Sequence, residues 1–125
     1  MSDEKKALAG RTVLVVDDEA DMRFLLRVTL ELAGYSVVEA AHGEAALEQV
    51  SRLQPDAVVT DRMMPRCGGD ELIRRLRAEE KTASIPVVMV TGTRGAHTGA
   101  DAVLTKPFDP RDLIGLLDEL IGKGR

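Results

Sequence analysis

Asp56-Ala57-Val58-Val59-Thr60-Asp61-Arg62-Met63-Met64-Pro65 is a short apolar run that ends in a carboxylate and is then stopped by a proline. Such a run suits a parallel strand covered on both faces. Pro65 and the pair Gly68-Gly69 force a loop directly after it. Asp61 therefore sits at the C-terminal tip of a buried strand, where open α/β sheets place their chemistry. The rest of the chain is read outward from this residue.

Upstream, Thr12-Val13-Leu14-Val15-Val16 is a second continuous run, and it too ends in acid, at Asp17-Asp18-Glu19. The spacing predicts a helix from about Ala20 to Ala33 with Phe24, Leu25, Val28 and Leu32 on its apolar face and Gly34 as its stop. A strand over Tyr35 to Ala40 follows, then a helix from Gly43 to Leu53 carrying Leu47, Val50 and Leu53. Beyond the Asp61 strand, a helix from about Asp70 to Glu80 turns Leu72, Ile73 and Leu76 inward and Arg74, Arg75 and Arg77 outward. Pro86 opens a fourth strand that ends at Thr91, and Ala102 to Thr105 is a fifth that runs into Lys106-Pro107. Asp109 caps a last helix with Pro110 in its first turn and Gly122 past its end.

Strands alternating with helices at this spacing give βαβ units and a parallel sheet, hence an α/β fold. The connection from Gly92 to Asp101 is the exception: its three glycines leave room for at most about one helical turn, so the fourth helix is shortened or absent. A single domain over residues 11 to 122 is expected, between a flexible segment at 1 to 10 and a tail at 123 to 125.

Composition bounds the function. The 125 residues are 44% hydrophobic and 30% charged with a net charge of −4, which argues against a surface for nucleic-acid phosphates. Two Phe, one Tyr and no Trp leave little stacking area for unpaired bases. The single cysteine, Cys67, cannot form an internal disulfide and fits a reducing compartment. No apolar stretch approaches the roughly 20 residues of a membrane span and no leader is visible. A cytoplasmic protein is expected.

Four of the five strands end in a chemically capable side chain: Asp17 and Asp18, Asp61, Thr91 and Lys106. Each alone has an ordinary reading, as a helix cap, a β-former or a solvated lysine. Together they lie on one sheet edge. For the acids of the first and third strands to meet, these strands must be neighbours, which pushes the second strand outward, gives the order 2-1-3, and opens a crevice between strands 1 and 3. Two carboxylates about 4 Å apart repel by on the order of 4 kcal/mol at an effective dielectric of 20. Lys106 offsets one of the three charges, and a divalent cation cancels the remaining two. An all-oxygen site of this kind suits Mg²⁺ and invites a phosphoryl group. Asp61 is then the nucleophile, with Lys106 and Thr91 contacting the phosphoryl oxygens.

Val13-Leu14-Val15-Val16-Asp17-Asp18-Glu19, Asp61-Arg62-Met63-Met64-Pro65, Thr91-Gly92 and Lys106-Pro107-Phe108, in this order, resemble the receiver domain of two-component response regulators over about Arg11 to Ile121. The resemblance implies a flavodoxin-like, doubly wound five-stranded parallel sheet of order 2-1-3-4-5. It implies that Asp61 accepts a phosphoryl group from a phosphohistidine on a sensor histidine kinase or phosphotransfer protein. It further implies that Asp18 and Asp61 bind Mg²⁺ directly, Asp17 through water, and the backbone carbonyl of Met63 completes the protein ligands. Thr91 and Lys106 would read the phosphoryl group, and the Lys106-Pro107 bond would be cis. The domain would be a switch acting on a partner or output domain, self-phosphorylating and self-dephosphorylating, more than a turnover enzyme.

Two departures stand out. Val103 occupies the position where the family usually has a Tyr or Phe, and Lys106 follows Thr91 by only fifteen positions, about two helical turns fewer than the family's usual spacing. The usual coupling from Thr91 to an aromatic is expected to be absent, and the signal to leave through Gly92 to Asp101. Met63, apolar and two residues after Asp61, cannot orient attacking water, so slow phosphate loss is expected. Met63 and Met64 would combine a backbone ligand with core packing. His42 and His97 read as solvated loop residues, Cys67 as incidental, and the arginines as a solvated helix face.

Two other classes compete. A phosphorylation-independent interaction module would keep the fold and signal constitutively. A phosphatase using an aspartyl-phosphate intermediate would need a nucleophile and an acid two residues apart after the first strand, which Asp17-Asp18-Glu19-Ala20 does not supply.

Overall fold

The computed structural model describes residues 10 to 92 and 99 to 123. The flexible N-terminal segment expected at 1 to 10 falls almost wholly outside the described residues. So do His97 with the rest of residues 93 to 98, the greater part of the connection from Gly92 to Asp101 in which the fourth helix was expected to be shortened or absent, and the end of the expected tail. The elements are β1 (Thr12–Val16), α1 (Ala20–Leu32), β2 (Ser36–Ala40), α2 (Gly43–Leu53), β3 (Ala57–Asp61), α3 (Gly69–Ala78), β4 (Val87–Thr91), β5 (Ala102–Thr105) and α4 (Pro110–Lys123). All five strands pair in parallel in the order β2-β1-β3-β4-β5. This is the doubly wound sheet expected from the sequence, with its switch point between β1 and β3. No helix among the described residues is long and apolar enough to cross a membrane.

Because side chains alternate across a strand, each central strand feeds two cores. Leu14, Val16, Val58 and Met89 pack with Val50, Leu72, Ile73 and Leu76 on the α2/α3 side. Val13, Val15, Val59 and Val88 pack with Leu26, Leu30, Leu113 and Leu117 on the α1/α4 side. β3 and β4 are buried at every position, which explains why their sequences show no polar alternation.

The expected inward face of α1 is wrong. Phe24, Leu25, Val28 and Leu32 are exposed, Leu32 to 85%, whereas Leu26 and Leu30 are buried. This helix carries two apolar stripes, and packing over Val13 and Val15 selects the one containing Leu26 and Leu30. Leu53 at the end of α2 is likewise exposed while Ala46 and Val50 are buried. α3 runs over Gly69–Ala78, not 70 to 80, β4 opens at Val87, after Pro86, and α4 continues through Gly122. Gly34 does stop α1 as expected, turning the chain with a φ of 104° just past the helix end, and Asp109 Oδ1 accepts from the Arg111 amide at 2.8 Å, capping α4.

Arg77 does not belong to a solvated face. Its guanidinium donates to the carbonyls of Ala83 and Ile85 at 2.9 and 2.7 Å, to that of Gly99 at 3.2 Å and to Asp101 Oδ2 at 2.8 Å. It clasps the end of α3 to the entries of β4 and β5. Arg74 and Arg75 are exposed as expected, and both pair with Glu71. Those two contacts hold the Glu71 carboxyl down at about 2.

Candidate functional site

The parallel register brings the tips of β1, β3, β4 and β5 to one edge. Asp17 continues β1, its amide donating to Ala40 O at 3.1 Å, and Asp61 is the last residue of β3. Ligand oxygens of Asp17, Asp18 and Asp61 all lie within 4.8 Å of one another. Asp17 and Asp61 are buried, at 1% and 7% exposure, and Asp18 faces solvent. Across the β4–β5 pair the Lys106 amide donates to Thr91 O at 2.8 Å, which sets Thr91 and Lys106 side by side. The Lys106 ammonium lies 3.3 Å from Asp61 Oδ1, and the Lys106-Pro107 bond is cis. Each of these residues, singled out in the sequence, lies at the same edge.

The electrostatics follow from crowding. Burial pushes the Asp17 carboxyl up, the neighbouring Asp61 and Asp18 charges push the same way, and the Glu19 amide bonded to Asp17 Oδ1 at 2.8 Å together with Lys106 partly opposes them. Asp61 Oδ1 pairs with the Lys106 ammonium and accepts a hydrogen bond from the Arg62 amide at 3.0 Å. Among the described residues no donor is placed on its Oδ2.

The loop after β3 is held in a tight path. Arg66 adopts a φ of 67°, and Gly69 amide donates to Arg62 O at 2.9 Å. A Cβ on Gly69 would lie 2.6 Å from Asp61 O, and one on Gly43 would lie 2.4 Å from Cys67 O. Only glycine lets α3 and α2 approach the loop this closely. The sequence reading took Gly68-Gly69 as loop signals and missed this packing role. It also missed His42, whose Nδ1 accepts from the Ala45 amide at 3.1 Å and caps α2. A solvated loop histidine it is not.

Met63 is 74% exposed, so its side chain is not core as expected, whereas Met64 is partly buried against the α2/α3 core. Val103 is partly buried in that same core. Cys67 is buried, and burial pushes its thiol up. That makes it a poor nucleophile.

Three carboxylates with no nitrogen or sulfur donor, one exposed and two buried, fit a hard divalent cation such as Mg²⁺. Lys106, facing Asp61 at 3.3 Å, offsets one of the three charges, and a divalent cation would offset the other two.

Residues 13 to 118 match the family model of the response regulator receiver domain. The chain is similar to the phosphate regulon transcriptional regulatory protein PhoB of Pseudomonas aeruginosa, 39% identical over 91% of this chain and 53% of the relative. It is 37% identical to the alkaline phosphatase synthesis transcriptional regulatory protein PhoP of Bacillus subtilis, over 83% and 45%. The chain thus spans about half the length of the curated relatives it matches. Among solved structures, the Vibrio cholerae chemotaxis protein CheY4 aligns with a TM-score of 0.83 at 30% identity, covering 89% of this chain and 98% of that one. The receiver domain of the Pseudomonas aeruginosa sensor histidine kinase PA1611 aligns with a TM-score of 0.84 at 28% identity over 90% and 98%, and it holds a magnesium ion in its active-site cleft. With the acid cluster, the order of its strands and the matched span all in agreement, this chain belongs to the response regulator receiver domain family.

Proposed function

We propose that this domain accepts a phosphoryl group on Asp61 from a phosphohistidine of a sensor kinase or phosphotransfer protein and, once modified, switches a downstream protein or output domain. The observation that carries the reading is the Lys106 ammonium 3.3 Å from Asp61 Oδ1 inside a cluster of three acids. Lys106 and the Arg62 amide occupy Oδ1, which leaves Oδ2 to attack. As Oδ2 bonds to phosphorus, the bond from phosphorus to the imidazole nitrogen breaks and the imidazole keeps the electron pair. Lys106 and the Thr91 hydroxyl then stabilise the phosphoryl oxygens.

Asp17, Asp18, Asp61 and the Met63 carbonyl are the proposed holders of Mg²⁺. When bound, the ion neutralises charge on the transferring group. Later hydrolysis returns the carboxylate and inorganic phosphate, so the domain is a self-modifying switch, acting in the cytoplasm, more than a turnover enzyme. A module that signals without phosphorylation would have no use for a cluster this costly to assemble.

Incubation with acetyl phosphate and Mg²⁺, followed by intact mass measurement, tests the reading. The native protein is expected to gain one phosphoryl mass and Asp61→Asn none. No gain in either, or an equal gain in both, overturns it.

A further inference from the structure

The peptide joining Asp17 to Asp18 is braced by a side chain that lies outside the acid cluster. Arg23 Nη1 donates to Asp17 O at 2.6 Å, and Arg23 Nε donates to Glu39 Oε1 at 3.2 Å. Glu39 is the penultimate residue of β2. Its other oxygen accepts from Arg27 Nη1 at 2.8 Å, and Arg27 Nε in turn donates to Glu31 at 3.2 Å. The Arg23–Glu39 pair is mostly covered, with side-chain exposures of 19% and 27%. Asp17 is thereby held at three points: its amide by Ala40 O, its carboxylate by the Glu19 amide and its carbonyl by Arg23.

We propose that Arg23 is a positioning residue for the Mg²⁺ site: anchored on Glu39, its guanidinium fixes the peptide between Asp17 and Asp18 and so the aim of both carboxylates. This rests on the reading of the cluster as a Mg²⁺ and phosphoryl site. Rotation about the Cα–C bond of Asp17 swings its carbonyl oxygen and carries the Asp18 Cα and side chain with it, so a donor fixed on that oxygen opposes the rotation that would turn Asp18 away from Asp61. Asp18 needs this brace most, because it lies in the exposed turn between β1 and α1. β1 ends at Val16, and the donor on the Asp17 carbonyl just past it is the Arg23 side chain. Only a planar fork can reach the carbonyl and Glu39 at once. A lysine offers a single ammonium and cannot span both. Arg23 acts through the backbone, because its contact with Asp17 is to the carbonyl oxygen and not to the carboxylate.

The test compares Mg²⁺ affinity, by calorimetric titration of the full chain, in the native protein, Arg23→Ala, Arg23→Lys, Glu39→Gln and Arg27→Ala. Groups that orient metal ligands from outside the coordination sphere typically change affinity by 10- to 100-fold. Arg23→Ala is expected to weaken Mg²⁺ binding about tenfold, with Arg23→Lys intermediate and Glu39→Gln shifted in the same direction. Arg27→Ala, which touches Glu39 but no part of the site, is the folding control and is expected to bind as the native protein does. Phosphorylation by acetyl phosphate at saturating Mg²⁺ is expected to recover in Arg23→Ala, since only the concentration of metal required has changed. Should Arg23→Ala not fold, Arg23→Lys carries the test with its affinity alone. Native Mg²⁺ affinity in a folded Arg23 variant overturns the proposal and leaves the phosphoacceptor reading standing. Absence of Mg²⁺ binding by the native protein overturns both.

Discussion

Arg77 Nη2 lies 2.8 Å from Asp101 Oδ2, and the same carboxylate oxygen accepts from the Val87 amide at 2.7 Å. One ion pair thus joins the C-terminal turn of α3 to the starts of β4 and β5, at the edge of the sheet opposite Asp61.

Removing this clasp strands several acceptors at once. Arg77→Ala is expected to lose about 2–3 kcal/mol in urea unfolding, as for a hydrogen-bonded, mostly covered charge. Arg77→Lys is expected to recover little, because one ammonium cannot serve carbonyls at 83, 85 and 99. Acetyl phosphate labelling of the folded variant should proceed at the native rate. A loss under 0.5 kcal/mol would show that the clasp is ornamental.

Two glycines give opposite expectations for the same substitution. A Cβ on Gly69 meets Asp61 O and the Arg62 Cα at 2.6 and 3.0 Å, whereas nothing lies within 4 Å of one on Gly115, in the middle of α4. Gly69→Ala is expected to cost about 1–3 kcal/mol by forcing backbone apart, and to slow phosphorylation because the displaced atoms carry Asp61. Gly115→Ala is expected to stabilise by about 0.5–1 kcal/mol through helix propensity. Matched thermal melts read both signs.

The Asp17 carboxyl is raised by burial and by the Asp61 and Asp18 charges. The folded state therefore holds this proton more tightly than the unfolded chain does, and folding is favoured where Asp17 is protonated. Without metal, Asp17→Asn is expected to be more stable than the native protein at neutral pH. The gap should close as pH falls through the raised folded value toward the ordinary 3.8. Added Mg²⁺ should stabilise the native protein and not the variant. A pH-independent gap in chemical denaturation would contradict this account of the site's charge.

Met63, 74% exposed and two residues past Asp61, offers no group that could orient a water for attack on the acyl phosphate. Replacing it with Asn is expected to speed phosphate loss several-fold in single-turnover decay, with little change in the rate of phosphorylation. Unchanged decay would assign slow hydrolysis to another cause.

What the sequence disclosed and what it hid divide along physical lines. The runs ending at Val16, Asp61 and Thr91 are buried on both faces, so their apolar continuity alone marks them as strands, and the need to bring Asp17 and Asp61 together orders three of the five. The roles of Arg77 and His42 are unreadable in the sequence because all of their partners but the Asp101 carboxylate are backbone groups: the carbonyl of Gly99 lies 22 residues from Arg77, and no side-chain pattern announces it. The α1 face was misread because Phe24-Leu25-Val28-Leu32 and Met22-Leu26-Leu30 share the same helical period. Only the sheet beneath decides between them.

The most direct test of the central claim is chemical mapping of the modified side chain. Borohydride reduction after incubation with acetyl phosphate and Mg²⁺ converts an aspartyl phosphate to homoserine, which peptide mass mapping then locates. Homoserine at position 61 and at no other acid is the expected result. Homoserine at Asp17 or Asp18, or none in a protein that has gained phosphoryl mass, would contradict it.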